Sequence, residues 1–206
     1  STIFLFISGI FFYKLRKNSP KDLSSIREKI YSRLRGDLES KNLKIGAKVF
    51  IRIFKEEKIL EFWMQEEGKK TFKLFKTYPI CHYPGGLGPK LKEGDLQAPE
   101  GFYSVTKDKL NPNSRFHLSF NLGFPNALER SLGRTGSFLM IHGGCFSTGC
   151  YAMTNELIEE IYYLAQGGTA VGTGLNTKKN FDTKIIREIS RITTVSYTHL
   201  TLPTKR

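Results

Sequence analysis

The chain is poor in the residues that build metal centres. Three cysteines (Cys81, Cys145, Cys150) and four histidines are spread over 206 residues. There is no Cys-x-x-Cys and no His/Cys spacing suited to zinc, so neither a metal nor a cofactor is expected. An odd set of cysteines allows at most one disulfide and leaves one thiol free. Acidic residues are also scarce, 19 against 32 basic ones, for a net charge of +13. Such an excess suggests an anionic neighbour. The basic residues stand in ones and twos between Lys48 and Lys76, however, and no DNA- or RNA-reading motif accompanies them, which argues against nucleic acid. Long apolar runs are lacking too. The run Ile3 to Phe12 is too short to span a bilayer securely, and Lys14, Arg16 and Lys17 follow it without an Ala-x-Ala-like site. Residues 1–18 therefore read as the remnant of an export signal or, slightly better, an uncleaved anchor; a buried strand is the alternative. Either export reading puts the body of the protein outside the cytoplasm.

What is present suffices for one domain with a real core: 39% of the residues are hydrophobic. The stretch "SPKDLSSIREKIYSRLRGDLESKNL" predicts a helix, with Ser19 as cap, Pro20 at its first position, and Leu23, Ile26, Ile30 and Leu34 at helical spacing. Three strands follow. Val49, Ile51 and Ile53 alternate with their neighbours, then Leu60, Phe62 and Met64, then Phe72 to Ile80, separated by turns at Glu56-Glu57 and Glu66–Lys69. Short turns between consecutive strands imply an antiparallel meander. "CHYPGGLGPKLKEGDLQAPEGFYSV" reads as loop because of its glycines and prolines. "FHLSFNLGFPN" and "GSFLMIHGG" each supply a strand, and Thr154 caps a helix carrying Ile158, Ile161 and Leu164 on one face. The expected class is mainly β with flanking helices (α+β).

The chemistry concentrates in "IHGGCFSTGCYAM", residues 141–153. A nucleophilic cysteine needs a base and a local environment that favours its thiolate. Cys150 follows Gly149, which permits a sharp turn, and precedes the helix that Thr154 begins. Small residues there let backbone N–H groups face an incoming carbonyl oxygen. His142 ends the apolar strand "FLMI", which would hold it rigidly at a sheet edge. Cys145 lies mid-loop with no helix behind it, and reads as a packed thiol or as half of a disulfide with Cys150 or Cys81.

"HGGCFSTGCYAMT" resembles the signature of the L,D-transpeptidase (YkuD-type) catalytic domain, and within it the YafK-like branch. The likeness extends through "KVFIRIFKEEKILEFWM", "FKLFKTYPIC", "GGLGPKLKEGDLQAPEGFYSV", "LNPNSRFHLSFNLGFPN" and "GRTGSFLMIHG", over roughly residues 20–165. It implies a β-sandwich fold with Cys150 as nucleophile and His142 as its base. Gly143 would orient the histidine, while Ser147 and the N–H groups of Gly149 and Cys150 would shape the oxyanion hole. Thr148 stands where most of the broader family has a second histidine, and Ala152 where many have an arginine; both departures are shared with the branch and imply an altered substrate pocket. The implied reaction is acyl transfer on peptidoglycan stem peptides through a thioester at the meso-diaminopimelate amide, in the periplasm or cell envelope. An amine acceptor would make it a transferase that crosslinks stems or attaches an outer-membrane lipoprotein. Water would make it a hydrolase releasing such a lipoprotein. A non-catalytic wall-binding module is the reading of another class. Arg134, Lys90 and Arg115 are candidate carboxylate contacts, and His117 and Tyr151 are candidates to line the site.

From residue 166 the likeness changes. "GGTAVGTGLNTKKNFDTKIIREISRIT" resembles a segment of class II fumarase and its aspartase relatives, too short to carry that fold or activity. "VSYTHLTLPTKR" resembles an in-frame translation of a sequencing adapter. The expected organisation is a signal or anchor remnant at 1–18, a catalytic domain at 19–165 truncated at its C-terminal side, a non-native fumarase-like fragment at 166–194, and an adapter-derived tail at 195–206.

Overall fold

The computed structural model describes residues 22–167 and 169–173. Helix α1 (Ser24–Ser40) turns Ile30, Leu34 and Leu38, one turn apart, into the core. Its first turn is tied by Asp22, whose carboxylate accepts the Ser24 N–H at 2.8 Å and the Ser24 hydroxyl at 3.0 Å. The expected cap at Ser19 and Pro20, the segment 1–18 and the tail lie outside the described residues.

The three alternating stretches form β1 (Val49–Phe54), β2 (Ile59–Gln65) and β3 (Phe72–Pro79), an antiparallel meander as expected. All six residues of β1 are buried, because β1 is not an edge strand. Two further strands extend the sheet to the order β3-β2-β1-β9-β4, with β4 at Gly101–Val105 and β9 at Thr169–Thr173. The end of the glycine- and proline-rich stretch read as loop is thus a strand: Tyr103 and Val105 face inward, and pairing with β9 outweighs the local turn composition. β9 runs parallel to β1 and antiparallel to β4. It comes from the first residues of the fumarase-like stretch, so five residues beyond 165 are part of this sheet.

The second sheet contains β5 (Leu110–Asn111), β6 (Ser119–Asn121), β7 (Met140–His142) and β8 (Tyr151–Ala152), in that order. β7 and β8 are parallel. The buried Phe120, Ile141 and Tyr151 join Ile51, Ile53, Leu60 and Phe62 of the first sheet in one cluster, completed by Ile158, Ile161 and Leu164 of α3 (Asn155–Leu164). Thr154 caps α3 as expected, its hydroxyl accepting the Leu157 N–H at 3.3 Å. A short helix α2 (Ala127–Ser131) opens on a reciprocal capping box between Asn126 and Glu129. The architecture is mainly β with flanking helices.

One buried carboxylate ties three elements together. Glu160 on α3 accepts the Tyr78 hydroxyl of β3 at 2.5 Å and pairs with Lys76 at 2.9 Å and with Arg33 of α1 at 2.8 Å. The two cations are partly exposed, whereas Tyr78 is fully buried. Removing the carboxylate would return the cations to water but orphan the phenol. Glu160→Ala should therefore destabilise the fold by about 2–3 kcal/mol, read as a shifted midpoint in urea unfolding, while Lys76→Ala should cost under about 1 kcal/mol.

Candidate active site

The pairing of β7 with its neighbours places the chemistry. His142 lies opposite Ser119 on β6 and opposite Ala152 on β8. Since side chains alternate across a strand, His142 and Ala152 emerge on one face, while Ile141 and Tyr151 emerge on the core face; Cys150 immediately precedes β8, its Sγ on the Met140 N–H of β7. The loop from Gly143 to Gly149 therefore returns the chain with Cys150 beside the strand that carries His142.

His142 is 1% exposed. Its Nδ1 lies 2.6 Å from the Gly143 carbonyl oxygen. That oxygen can only accept, so Nδ1 holds the ring proton and the basic lone pair is on Nε2. The Phe116 ring packs on the imidazole with centroids 4.5 Å apart. Gly143 has to be glycine. A Cβ there would lie 2.8 Å from the Phe116 carbonyl oxygen and 2.8 Å from Asn155 Oδ1, and the Gly143 N–H already donates to the Phe116 and Leu118 carbonyls at 3.0 and 3.1 Å. Burial lowers the His142 pKa, against the opposing bond to Gly143.

Cys150 is the free cysteine, half-buried. Its Sγ accepts the Met140 N–H at 3.3 Å and donates to the Phe138 carbonyl at 3.5 Å. Ser147 sits beneath it. The Ser147 Oγ accepts N–H bonds from Cys150 at 2.6 Å and from Gly149 at 3.2 Å. With its lone pairs engaged, the hydroxyl can only donate outward, and it is polarised by two backbone dipoles. Burial pushes the Cys150 thiol up, opposed by the Met140 N–H, the Ser147 hydroxyl and the charge of Lys90. Burial thus shifts both groups toward their neutral forms, imidazole and thiol.

Cys145 is joined to Cys81, 64 positions away, by a disulfide. This resolves the alternatives left by the sequence and leaves Cys150 as the free thiol. The bridge pins the middle of the His142–Cys150 loop to the end of β3, where the Cys81 and His82 N–H groups bond to the Ala152 carbonyl at 3.0 and 3.1 Å. The His82 and Phe146 rings stack beside it at 5.9 Å.

The other candidates fall in different places. Tyr151 is fully buried on the core face, its hydroxyl donating to the Pro99 carbonyl at 2.7 Å, so the structure puts it with the packing residues rather than beside the thiol. Arg134 lies 3.7 Å from Glu129, and His117 Nε2 lies 2.7 Å from Glu159 on α3. Arg115 sits over the Phe116 ring at 5.6 Å. Lys90 is buried against Asp95 at 2.5 Å, in a loop fastened by the buried Lys55, which donates to the carbonyls of Ala98 and Gly88 at 2.7 and 2.9 Å. Sequence reasoning missed Phe116, Met140 and Asn155, the last accepting the Gly144 N–H at 3.0 Å. No spacing in the chain announces any of them.

A free cysteine on the N–H of one β7 residue and an Nδ1-anchored histidine two residues further along that strand make a candidate cysteine–histidine site on a two-sheet fold. The chain matches the YkuD family, the L,D-transpeptidase catalytic domain, over residues 48–173, and belongs to it. It is 47% identical to the L,D-transpeptidase-family protein YafK of Escherichia coli K12 over 134 residues, 65% of this chain and 54% of that one. The chain thus spans about half the length of that curated relative. Among solved structures it is similar to the helical cell shape determining protein Pgp2 of Campylobacter jejuni, with a TM-score of 0.56 and 26% identity over 82% of this chain and 61% of that one. A separate 42-residue stretch, 20% of the chain and 8% of the relative, is 57% identical to mitochondrial fumarate hydratase of Rhizopus oryzae. That fits the fumarase-like segment seen in the sequence.

The resting protonation state has a direct readout. With the thiol raised above its ordinary value of 9.0, carboxamidomethylation of Cys150 by iodoacetamide should keep accelerating as pH rises past 9. A plateau near neutrality would indicate a thiolate–imidazolium pair instead. Thiol titration of the folded, unreduced chain should count one reactive sulfhydryl, and Cys145→Ser should lower stability by about 2–4 kcal/mol through loss of the bridge.

Proposed function

We propose that the chain is an L,D-transpeptidase-type cysteine acyltransferase acting on peptidoglycan stem peptides in the cell envelope. The observation that carries this reading is the Nδ1 bond of His142 to Gly143, which leaves Nε2 as a base on the strand whose Met140 N–H holds the free thiol of Cys150. The thiol proton passes to Nε2 as Sγ attacks the amide carbonyl at the meso-diaminopimelate position. Negative charge collects on the carbonyl oxygen, toward which the Ser147 hydroxyl can donate, its own oxygen already accepting the Cys150 and Gly149 N–H groups. Collapse breaks the C–N bond, His142 returns the proton to the departing amine, and a thioester remains on Cys150. An acceptor amine then attacks the thioester, His142 takes its proton, and the thiol is restored.

Family membership and the resemblance to a protein that determines helical cell shape support a role in remodelling the wall. The positive balance of the chain suits stems that carry carboxylates. Export through the N-terminal apolar segment, and an outer-membrane lipoprotein as a further partner, belong to the same proposal. Among the described residues, no helix is long and apolar enough to cross a membrane.

Two experiments test the reading. A thiol-reactive carbapenem should form a covalent adduct, visible by intact mass, that Cys150→Ser abolishes and Cys145→Ser retains; His142→Ala should slow its formation by about 10²-fold or more. Absence of an adduct with unchanged stem-peptide binding would make the domain a wall-binding module. Digestion of stem peptides with and without an added amine separates the outcomes: a crosslinked product marks a transferase, and a free acid in both cases marks a hydrolase.

A further inference from the structure

The residue paired with His142 across β6 and β7 is Ser119. Its side chain is fully buried, and its Oγ has no hydrogen-bond partner among the described residues. Buried hydroxyls are normally satisfied, because an idle one costs stability without return, so an exception calls for an explanation. Antiparallel partners lie on the same face with Cβ atoms about 4.5–5.5 Å apart. The unsatisfied oxygen therefore stands on the same face as the imidazole, directly across the strand pair from it. The segment holding it also wraps the histidine: Phe116 covers the ring, and the Phe116 and Leu118 carbonyls hold the Gly143 N–H.

A neutral His142 has no use for a second acceptor, because its one N–H is committed to Gly143. Once Nε2 has taken the Cys150 proton the ring is a cation with 1% exposure, and burying a charge without nearby dipoles is costly. We propose that Ser119 is a positioning residue for this step. Its hydroxyl turns a lone pair toward the imidazolium, holding the ring's charge and orientation until the proton reaches the leaving group. This role rests on the acyl-transfer reading above, but not on the identity of the natural acyl donor. Ser119 exchanges no atom with the substrate, and the proton path runs from Sγ to Nε2 to the departing group.

The test uses p-nitrophenyl acetate, which acylates a reactive thiol and releases p-nitrophenolate whatever the natural substrate is. Ser119→Ala should slow Cys150 acylation by about tenfold to a hundredfold, the effect of losing a hydroxyl dipole set against a buried charge. Its melting temperature should stay unchanged or rise, since an unpaired buried hydroxyl is removed. Ser119→Thr, which keeps the hydroxyl on a residue suited to strands, should return the rate to within about threefold of the unaltered protein. Acylation by the alanine variant within about twofold of the unaltered rate overturns the role, as does a slow threonine variant that melts normally. A fall in the alanine variant's melting temperature of more than about 5 °C also overturns it, making Ser119 a packing residue; should threonine overpack the site, the alanine rate and melt decide. Release that Cys150→Ser leaves unchanged sinks the acyl-transfer reading and this role together, whereas a dead Cys150→Ser beside a fully active Ser119→Ala sinks this role alone.

Discussion

The site depends on parallel pairing between two very short strands. Ile141 lies opposite Tyr151 and His142 opposite Ala152, and that register turns the histidine away from the core that Ile141 and Tyr151 enter and brings Cys150 to the Met140 N–H. A slip of one residue would invert every assignment. A parallel pair needs a crossover, and here the whole crossover is the loop from Gly143 to Cys150. It is held by the Cys81–Cys145 bridge, by the Asn155 bond to Gly144 and by the Cys145 N–H on the Met153 carbonyl at 3.1 Å. Two residue pairs could not hold that register unaided, so the bridge and the packing of Tyr151 into the core share the task.

Electrostatics follow from this burial. The imidazole and the thiol are both shifted toward their neutral forms, and the groups that moderate the shifts are fixed dipoles: the Gly143 carbonyl, the Met140 N–H and the Ser147 hydroxyl. Dipoles set in place in advance cost little reorganisation when charge develops beside them. Lys90 is the exception among them, a full charge acting on Cys150 from a loop whose position is set by Lys55 and Asp95.

Much of this was legible in the residues. The meander from Val49 to Pro79 followed from strict alternation, and the start of α3 from a threonine ahead of an amphipathic run. The candidacy of Cys150 and His142 rested on the glycine turn before the one, the apolar strand before the other, and the family signature. Less legible were elements whose strand character comes from pairing. Gly101–Val105 was hidden behind glycine and proline, and Tyr151–Ala152 is too short to show a period. Thr169–Thr173 lies where the sequence turns to a different family's likeness, yet its backbone occupies the slot between β1 and β4.

The sequence by itself determined which side chains could do chemistry, because one motif set a histidine, a serine and two cysteines within reach of a glycine turn and a helix start. Only the tertiary structure decided which cysteine stays free, since the partner of Cys145 lies 64 positions away at the end of a different strand. It also decided which histidine nitrogen carries the ring proton, that Ser147 gathers two backbone N–H groups, and that Tyr151 faces the core. These facts depend on register, on contacts between residues distant in sequence, or on the path of a short loop, none of which leaves a periodic trace in the order of residues.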